Sequence, residues 1–202
     1  MIDQIIDKSF SLFCKYGIKS VTMDDIATQL GVSKKTLYLH VSDKKELVRQ
    51  TVDWHIGSVT QNCEIVFDKN VNPIDQLLGI IEVNRKWSSN MNTALIFDLQ
   101  KYHPDAWVKV EKHKRDFIYR HVYDNLLSGQ EKGYYRKEIK PDIISKYYIG
   151  MIGVMMNAEI FTAEEFDMPK LQTELVIYHI HGISTQKGIE YLEQKLKTPT
   201  DV

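Results

Sequence analysis

Residues 22–47 read TMDDIATQLGVSKKTLYLHVSDKKEL, and their pattern decides the fold of the N-terminal part. Thr22-x-x-Asp25 has the form of a capping box, in which a hydroxyl and a carboxylate three residues apart satisfy the first free N–H groups of a helix. Ile26, Ala27 and Leu30 then fall at i, i+1 and i+4, one face of a short helix. Ala27 is small and lets a second helix cross closely. Gly31 stands where a tight turn needs positive φ, which glycine adopts without steric cost. Ser33 is placed to cap a third helix, and Val32 and Leu37 fill the angle between the two. Two helices joined in this way form a helix-turn-helix, whose second helix enters the major groove by its N-terminal end.

The outer side of that second helix carries matching chemistry. Ser33, Lys34, Lys35 and Thr36 crowd its N-terminus, where free N–H groups and the helix dipole favour phosphate. Tyr38 and His40 follow, with Leu37 taking the buried position beside Tyr38. Lys44 and Lys45 open the next helix. Residues 33–45 hold four lysines against one aspartate, a local basic patch of the kind that grips a nucleic-acid backbone. Hydroxyl caps and solvated lysines are the plain alternative for each of these residues.

Outward from this stretch the chain is helical throughout. Ile2, Ile5, Ile6, Phe10, Phe13 and Cys14 make one face of a helix over 2–16, with Gly17 as its C-cap. Asp43-x-x-Glu46 starts a long helix running to about Phe67, and Asn72-Pro73 starts another. Further breaks are expected near Asn90, Tyr102–Pro104, Gly133–Pro141 and Glu164–Pro169. No alternating run argues for a sheet. The expectation is an all-α chain of about nine helices.

Composition sets outer limits. The 202 residues are 43% hydrophobic, enough for a sizeable core. The net charge of −1, from 26 basic and 27 acidic residues, does not announce nucleic-acid binding, so the lysine cluster is a local feature. Cys14 and Cys63 lie in helical patterns without a CxxC, and read as small buried hydrophobes of a reducing compartment. The N-terminus lacks the form of a secretory signal. The most apolar stretch, Tyr147–Met156, is too short to span a bilayer. A cytoplasmic protein without a membrane partner is expected.

The N-terminal motifs together resemble the TetR family of transcriptional regulators: Tyr16-Gly17, Thr22, Asp25-Ile26-Ala27, Gly31-Val32-Ser33, Thr36-Leu37-Tyr38 and Lys44-x-x-Leu47. The resemblance is specific over about residues 2–50. It implies a DNA-binding domain over 1–47 and a helical ligand-binding and dimerisation domain over 48–202. It also implies a homodimer on a palindromic operator in double-stranded DNA, acting as a repressor released by a small-molecule effector. Thr22, Ser33, Lys34, Lys35, Thr36, Tyr38, His40 and Lys44 would face the DNA. Val41 departs from the family, which often has an aromatic there, and no basic arm precedes the first helix.

Beyond residue 48 the resemblance guides the reading more than motifs do. Ile144, Tyr147, Tyr148, Met151, Ile152, Met155 and Met156 form a broad stripe. With Ile149 and Val154, residues 147–156 are apolar nearly all round, which predicts a helix buried on most sides. Leu171, Leu175, Tyr178, Ile189, Leu192 and Leu196 give a second, interrupted stripe, and Gly182 and Gly188 are candidate close-approach points. These are dimer helices by the resemblance, or plain monomer core. In the aromatic-rich middle the resemblance implies a mostly apolar small-molecule pocket, with Trp87, Phe97, Phe117, Tyr148, Met151 and Met155 as candidate lining; plain core is the alternative for each. Gln61, Asn84, Asn92 and Asn157 are candidate polar groups.

Catalysis and metal binding find little support. His179-x-His181 places two side chains about 200° apart on a helix, so both are read as solvent-facing or interface residues. His113 and His121 have no partner at ligand spacing. Glu164-Glu165 is a charged surface turn. HExxH, GxSxG and Gly-rich phosphate loops are missing from the sequence. The expectation is a non-enzymatic regulator without metal or cofactor. The alternatives are a DNA-bound protein-interaction module without a ligand, and an enzyme using the helical core as its pocket.

Overall fold

A computed structural model describes residues 1–69, 71–88, 91–92, 94–157, 159–162 and 165–197, without the side chains of Lys86 and Trp87. The expected breaks at Asn90 and Glu164, and the side chain of Trp87, lie outside the described residues. The described elements are α1 (Ile2–Tyr16), α2 (Met23–Leu30), α3 (Lys34–Tyr38), α4 (Lys44–Lys69), α5 (Pro73–Ser88), α6 (Ala94–Tyr102), α7 (Pro104–His113), a π-helical turn (Lys114–Ile118), α8 (Tyr119–Glu131), α9 (Pro141–Met155), α10 (Met168–Ile183) and α11 (Gln186–Lys197). The π turn joins α7 to α8 without a gap, so the described residues make ten rods. The all-α reading holds.

The tenth rod comes from a break that the sequence pattern does not mark. An isolated antiparallel bridge joins Ser184 to Tyr135. The Arg136 N–H donates to the Ile183 carbonyl at 2.9 Å, and the Thr185 N–H donates to the Tyr134 carbonyl at 2.9 Å. These bonds draw the chain out of α10. The Thr185 hydroxyl then accepts the Gly188 N–H at 3.3 Å and starts α11. Gly188 is the close-approach point of this corner, because a Cβ there would collide with the Tyr134 carbonyl oxygen. Gly182 meets nothing within 4 Å.

Two apolar clusters organise the rods. The first joins α1, α2 and α3 to the start of α4 and to α6 and α7 through Ile5, Phe13, Ile26, Leu37, Leu47, Val48 and Leu99. The second joins α5, α8, α9, α10 and α11 through Ile74, Leu77, Leu126, Tyr135, Tyr148, Ile180 and Leu192. Helix α4 passes through residues 47 and 48 unbroken and contributes to the first cluster on both sides. Near the start of α5, Asp75 accepts from the Tyr191 hydroxyl of α11 at 2.6 Å. Because α11 follows the end of α10, α10 runs antiparallel along α5.

Two expectations are corrected. His179 is buried, neither solvent-facing nor at a surface: Val176, His179, Ile180 and Ile183 all point inward from α10, and the His179 ring meets Tyr148 edge-on at 4.6 Å. His181 is exposed. In the single chain α9 is not covered on most sides. Tyr148 and Met155 are buried, whereas Tyr147 is 66% exposed and Ile143 and Val154 are also exposed.

Candidate nucleic-acid interface and internal cavity

Local hydrogen bonds set the helix-turn-helix geometry. The Thr22 hydroxyl accepts the Asp25 N–H at 3.1 Å, and the Thr22 N–H donates to the Asp25 carboxylate at 2.8 Å, so the capping box is complete. The Thr22 hydroxyl, donating to the Asp25 carboxylate at 2.7 Å, and then the Thr22 N–H hold the Asp25 carboxyl below its ordinary pKa. Gly31 closes α2 in the left-handed conformation, φ 67 and ψ 27. The Val32 N–H then donates to Ala27 at 3.0 Å. The Ser33 hydroxyl accepts the Thr36 N–H at 3.0 Å and starts α3. The Asp43 carboxylate accepts the Glu46 N–H at 2.7 Å and starts α4. Leu37 and Val41 are buried beneath this turn.

On the outer face, Thr22, Ser33, Lys34, Lys35, Tyr38 and His40 are exposed, and Thr36 and Lys44 are partly buried. Tyr38 is 44% exposed and Leu39, which the sequence reading passes over, is 75% exposed. A bare leucine at the end of the recognition helix can contact a thymine methyl. The lysines differ in their surroundings. Lys34 pairs with Asp24 at 2.9 Å and Lys45 with Asp105 at 2.9 Å. Among the described residues Lys35 has no ion pair. Burial lowers the Lys44 pKa, against the pull of Asp98 and Asp25.

Behind this face lies a cavity of about 180 Å³. Phe10, Phe13 and Ile18 of the helix-turn-helix unit form one wall. Val48, Thr51, Val52, His55, Ile56 and Val59 of α4 form the next, and Leu95, Ile96 and Leu99 of α6 a third. The far side is built by His113, Lys114 and Ile118, by Tyr148, Ile152 and Met155 of α9 with Met156 just beyond it, and by Met168, Gln172, Leu175 and Val176 of α10. Asn84 and Ser88 close the α5 end. Burial pushes the His55 imidazole down to about 4, helped by nearby His113. Burial alone takes His179, against Tyr148, to about 4. These rings are neutral at pH 7.

Helix α6 is tied to the helix-turn-helix unit. Buried Asp98 accepts the Lys19 N–H at 2.7 Å, and the Asn92 N–H donates to the Cys14 carbonyl at 2.7 Å. Burial pushes both thiols, Cys14 and Cys63, up to about 12, so they are buried and un-ionised.

Residues 5–51 match the model of bacterial regulatory proteins of the tetR family. The HTH-type transcriptional regulator YvaF of Bacillus subtilis is 26% identical over 189 residues, 93% of this chain and 97% of that one. Over residues 5–51 the chain carries the N-terminal segment of the TetR family. The Staphylococcus aureus negative regulator of the icaADBC biofilm operon, IcaR, is 28% identical over 134 residues, 61% of this chain and 62% of that one. Among solved structures, a transcriptional regulator from Saccharomonospora viridis in complex with choline superposes with a TM-score of 0.73 at 15% identity, over 92% of this chain and 98% of the other. That likeness is one of fold.

Over 93% of its length the chain is similar to a protein named as a transcriptional regulator. The geometry sorts the remaining candidates. Tyr148 and Met155 line the cavity. Met151 and Phe117 are not part of its wall: Met151 packs against the second cluster, and Phe117 stacks between His113 and His121, at 4.9 and 4.1 Å. Phe97 is exposed on the outer side of α6. Asn84 lines the cavity, Asn92 caps α6 by accepting the Ala94 N–H, and Gln61 and Asn157 are exposed. Lys114 and the histidines of the wall escape the sequence reading, which sought aromatics. Among the described residues no group of His, Cys, Asp and Glu is placed to hold a metal, and no helix is long and apolar enough to cross a membrane.

Proposed function

We propose that the protein binds a palindromic operator as a homodimer and represses nearby genes in the cytoplasm until a small molecule enters the cavity. The observation that carries this reading is shared walls. Phe10, Phe13, Val48 and Val52 belong both to the core that supports the helix-turn-helix and to the lining of the cavity. A ligand there presses directly on α1 and α4, and on α6 with its bonds to Lys19 and Cys14. The DNA-reading unit of residues 1–47 therefore moves with whatever fills the space enclosed by residues 48–202. An interaction module with a filled core would lack that space. The name of IcaR as a negative regulator supports repression.

On the DNA side the contacts fall to Thr22, Ser33, Lys34, Lys35, Thr36, Tyr38, His40 and Lys44, with Leu39 added. Lys34 exchanges Asp24 for a phosphate. In the dimer, the stripe of Ile143, Tyr147 and Val154 on α9 and Tyr178 on α10, itself 71% exposed, is covered by its counterpart across a two-fold axis. The two recognition helices then sit about 34–36 Å apart, one turn of DNA. A few ångströms of ligand-driven displacement mismatch both half-sites together.

The test is a chain with Lys35→Ala and Tyr38→Ala, both exposed and outside the core. Operator affinity falls at least tenfold while melting temperature and dimerisation stay unchanged. Unaltered affinity would remove α3 as the reading helix.

A further inference from the structure

The cavity has a chemical bias of its own. Most of its wall is Phe, Ile, Leu, Val and Met, and among the described residues no aspartate or glutamate lines it. Among the described residues its one lysine is Lys114, only 6% exposed. Lys114 opens the π-helical turn, whose wider winding brings the consecutive residues His113 and Lys114 to the same wall. The Lys114 Nζ stands 2.6 Å from Glu111 Oε1 and 5.4 Å from the centroid of the Trp107 ring. Glu111 lies one turn back, outside the lining and partly exposed. Among the described residues, three further polar atoms of the wall are buried without a hydrogen-bond partner: His113 Nε2, Ser88 Oγ and Gln172 Oε1. All three residues line the cavity. Buried polar atoms left in this state are costly, and an acceptor on a ligand can satisfy two of them, His113 Nε2 and Ser88 Oγ, as donors.

We propose that the cavity takes a small, mostly apolar ligand bearing one carboxylate, which sits against Lys114 and releases Glu111 to solvent. The proposal rests on the reading of the cavity as the effector site and adds the ligand's chemical class. A carboxylate enters an apolar enclosure only against a paired positive charge. Lys114 supplies that charge, and the His113 ring and Ser88 hydroxyl supply neutral donors. Glu111 already reaches solvent, so its displacement strands no buried charge. A cationic ligand meets Lys114 with no acidic residue among the described residues of the wall to offset the repulsion. A neutral ligand gains only the weaker uncharged hydrogen bonds. The volume, about 180 Å³, slightly exceeds the ~150 Å³ that holds benzene, which suits one ring or a short chain with its acid group.

The experiment titrates the purified full chain with phenylacetate, phenylacetamide and phenethylamine, three probes of one shape and three charges, by calorimetry. Phenylacetate binds at least tenfold more tightly than the amide, and the amine binds weakest. Lys114→Met, which keeps the apolar stem, brings phenylacetate to the level of the amide and leaves the amide within about threefold. Glu111→Gln, on a partly exposed side chain, removes the competing anion and tightens phenylacetate severalfold. Equal affinity for acid and amide, preference for the amine, no binding by any of the three, or indifference of phenylacetate to Glu111→Gln would each overturn the carboxylate. Operator release is measured alongside. A neutral or cationic probe that binds more tightly than phenylacetate and releases operator keeps the effector reading and overturns the carboxylate. Phenylacetate that binds through Lys114 and leaves operator affinity unchanged keeps the carboxylate and overturns the effector reading.

Discussion

Replacing Gly31 by alanine tests the turn of the helix-turn-helix with a cost that can be worked from the backbone alone. Gly31 sits at φ 67, and a Cβ built on it meets nothing within 4 Å. The cost therefore contains no steric clash. An L-residue in the left-handed region loses about 1–2 kcal/mol, and alanine's stiffening of the unfolded chain offsets about 0.4–1 kcal/mol of that. The net is destabilisation by about 1 kcal/mol, or about 2–4 °C in melting temperature for a chain of this length. Gly133 is an internal control, with φ 74 and also nothing within 4 Å. Gly133→Ala lowers the melting temperature by a similar amount. Asparagine visits the left-handed region more readily, so Gly31→Asn costs less than Gly31→Ala. The assay is thermal unfolding followed by circular dichroism, with operator affinity measured on the same samples. Gly31→Ala weakens operator binding through the re-aimed α3, and Gly133→Ala leaves it unchanged. A Gly31→Ala chain as stable as the parent, beside a destabilised Gly133→Ala chain, would refute the left-handed turn.

Three further outcomes are expected. Thr22→Ala removes the side-chain cap of α2 and costs about 1 kcal/mol, while Thr22→Ser keeps the cap; melting temperatures that fail to separate the two would deny the capping box an energetic role. His55 and His179 are held neutral in the fold, with pKa values near 4 against 6.5 in the open chain. Their contribution is complete above pH 6.5 and is lost as pH falls toward 4, at about 1.4 kcal/mol per unit for each ring. Melting curves between pH 7.5 and 5 show this fall, and His179→Leu flattens its share. Tyr147→Glu places a charge in the exposed stripe of α9, so sedimentation velocity shows monomers at concentrations where the parent is dimeric, and an unchanged dimer would move the interface elsewhere.

What the sequence reveals divides by the reach of the interactions. The starts of α2, α3 and α4 are legible because Thr22 with Asp25, Ser33 with Thr36 and Asp43 with Glu46 bond across only three residues. Leu37 and Tyr38 separate cleanly into inside and outside for the same local reason. The break at Ser184 depends on backbone bonds to Tyr134 and Arg136, some fifty positions away, and no residue at the break announces them. His179 shows the limit of side-chain type as a guide. An imidazole pattern suggests surface, but the inward face of α10 is fixed by its packing on α5. The cavity is legible only in kind. Aromatics point to a core, yet the wall is chiefly aliphatic and methionine, Phe97 turns outward because Leu95, Ile96 and Leu99 take the inner side of α6, and Lys114 reaches the wall through a π turn that helical periodicity does not foresee.

The central claim is tested most directly by selecting bound sequences from a random duplex pool with the purified chain at one stated, moderate salt concentration, since backbone contacts alone give salt-sensitive binding without sequence preference. The account predicts an enriched palindrome whose half-sites lie one helical turn apart or a whole number of turns, and loss of that enrichment when Lys35 and Tyr38 are replaced by alanine. Binding that enriches no sequence, or an enriched site without two-fold symmetry, would contradict a dimer reading DNA through α3.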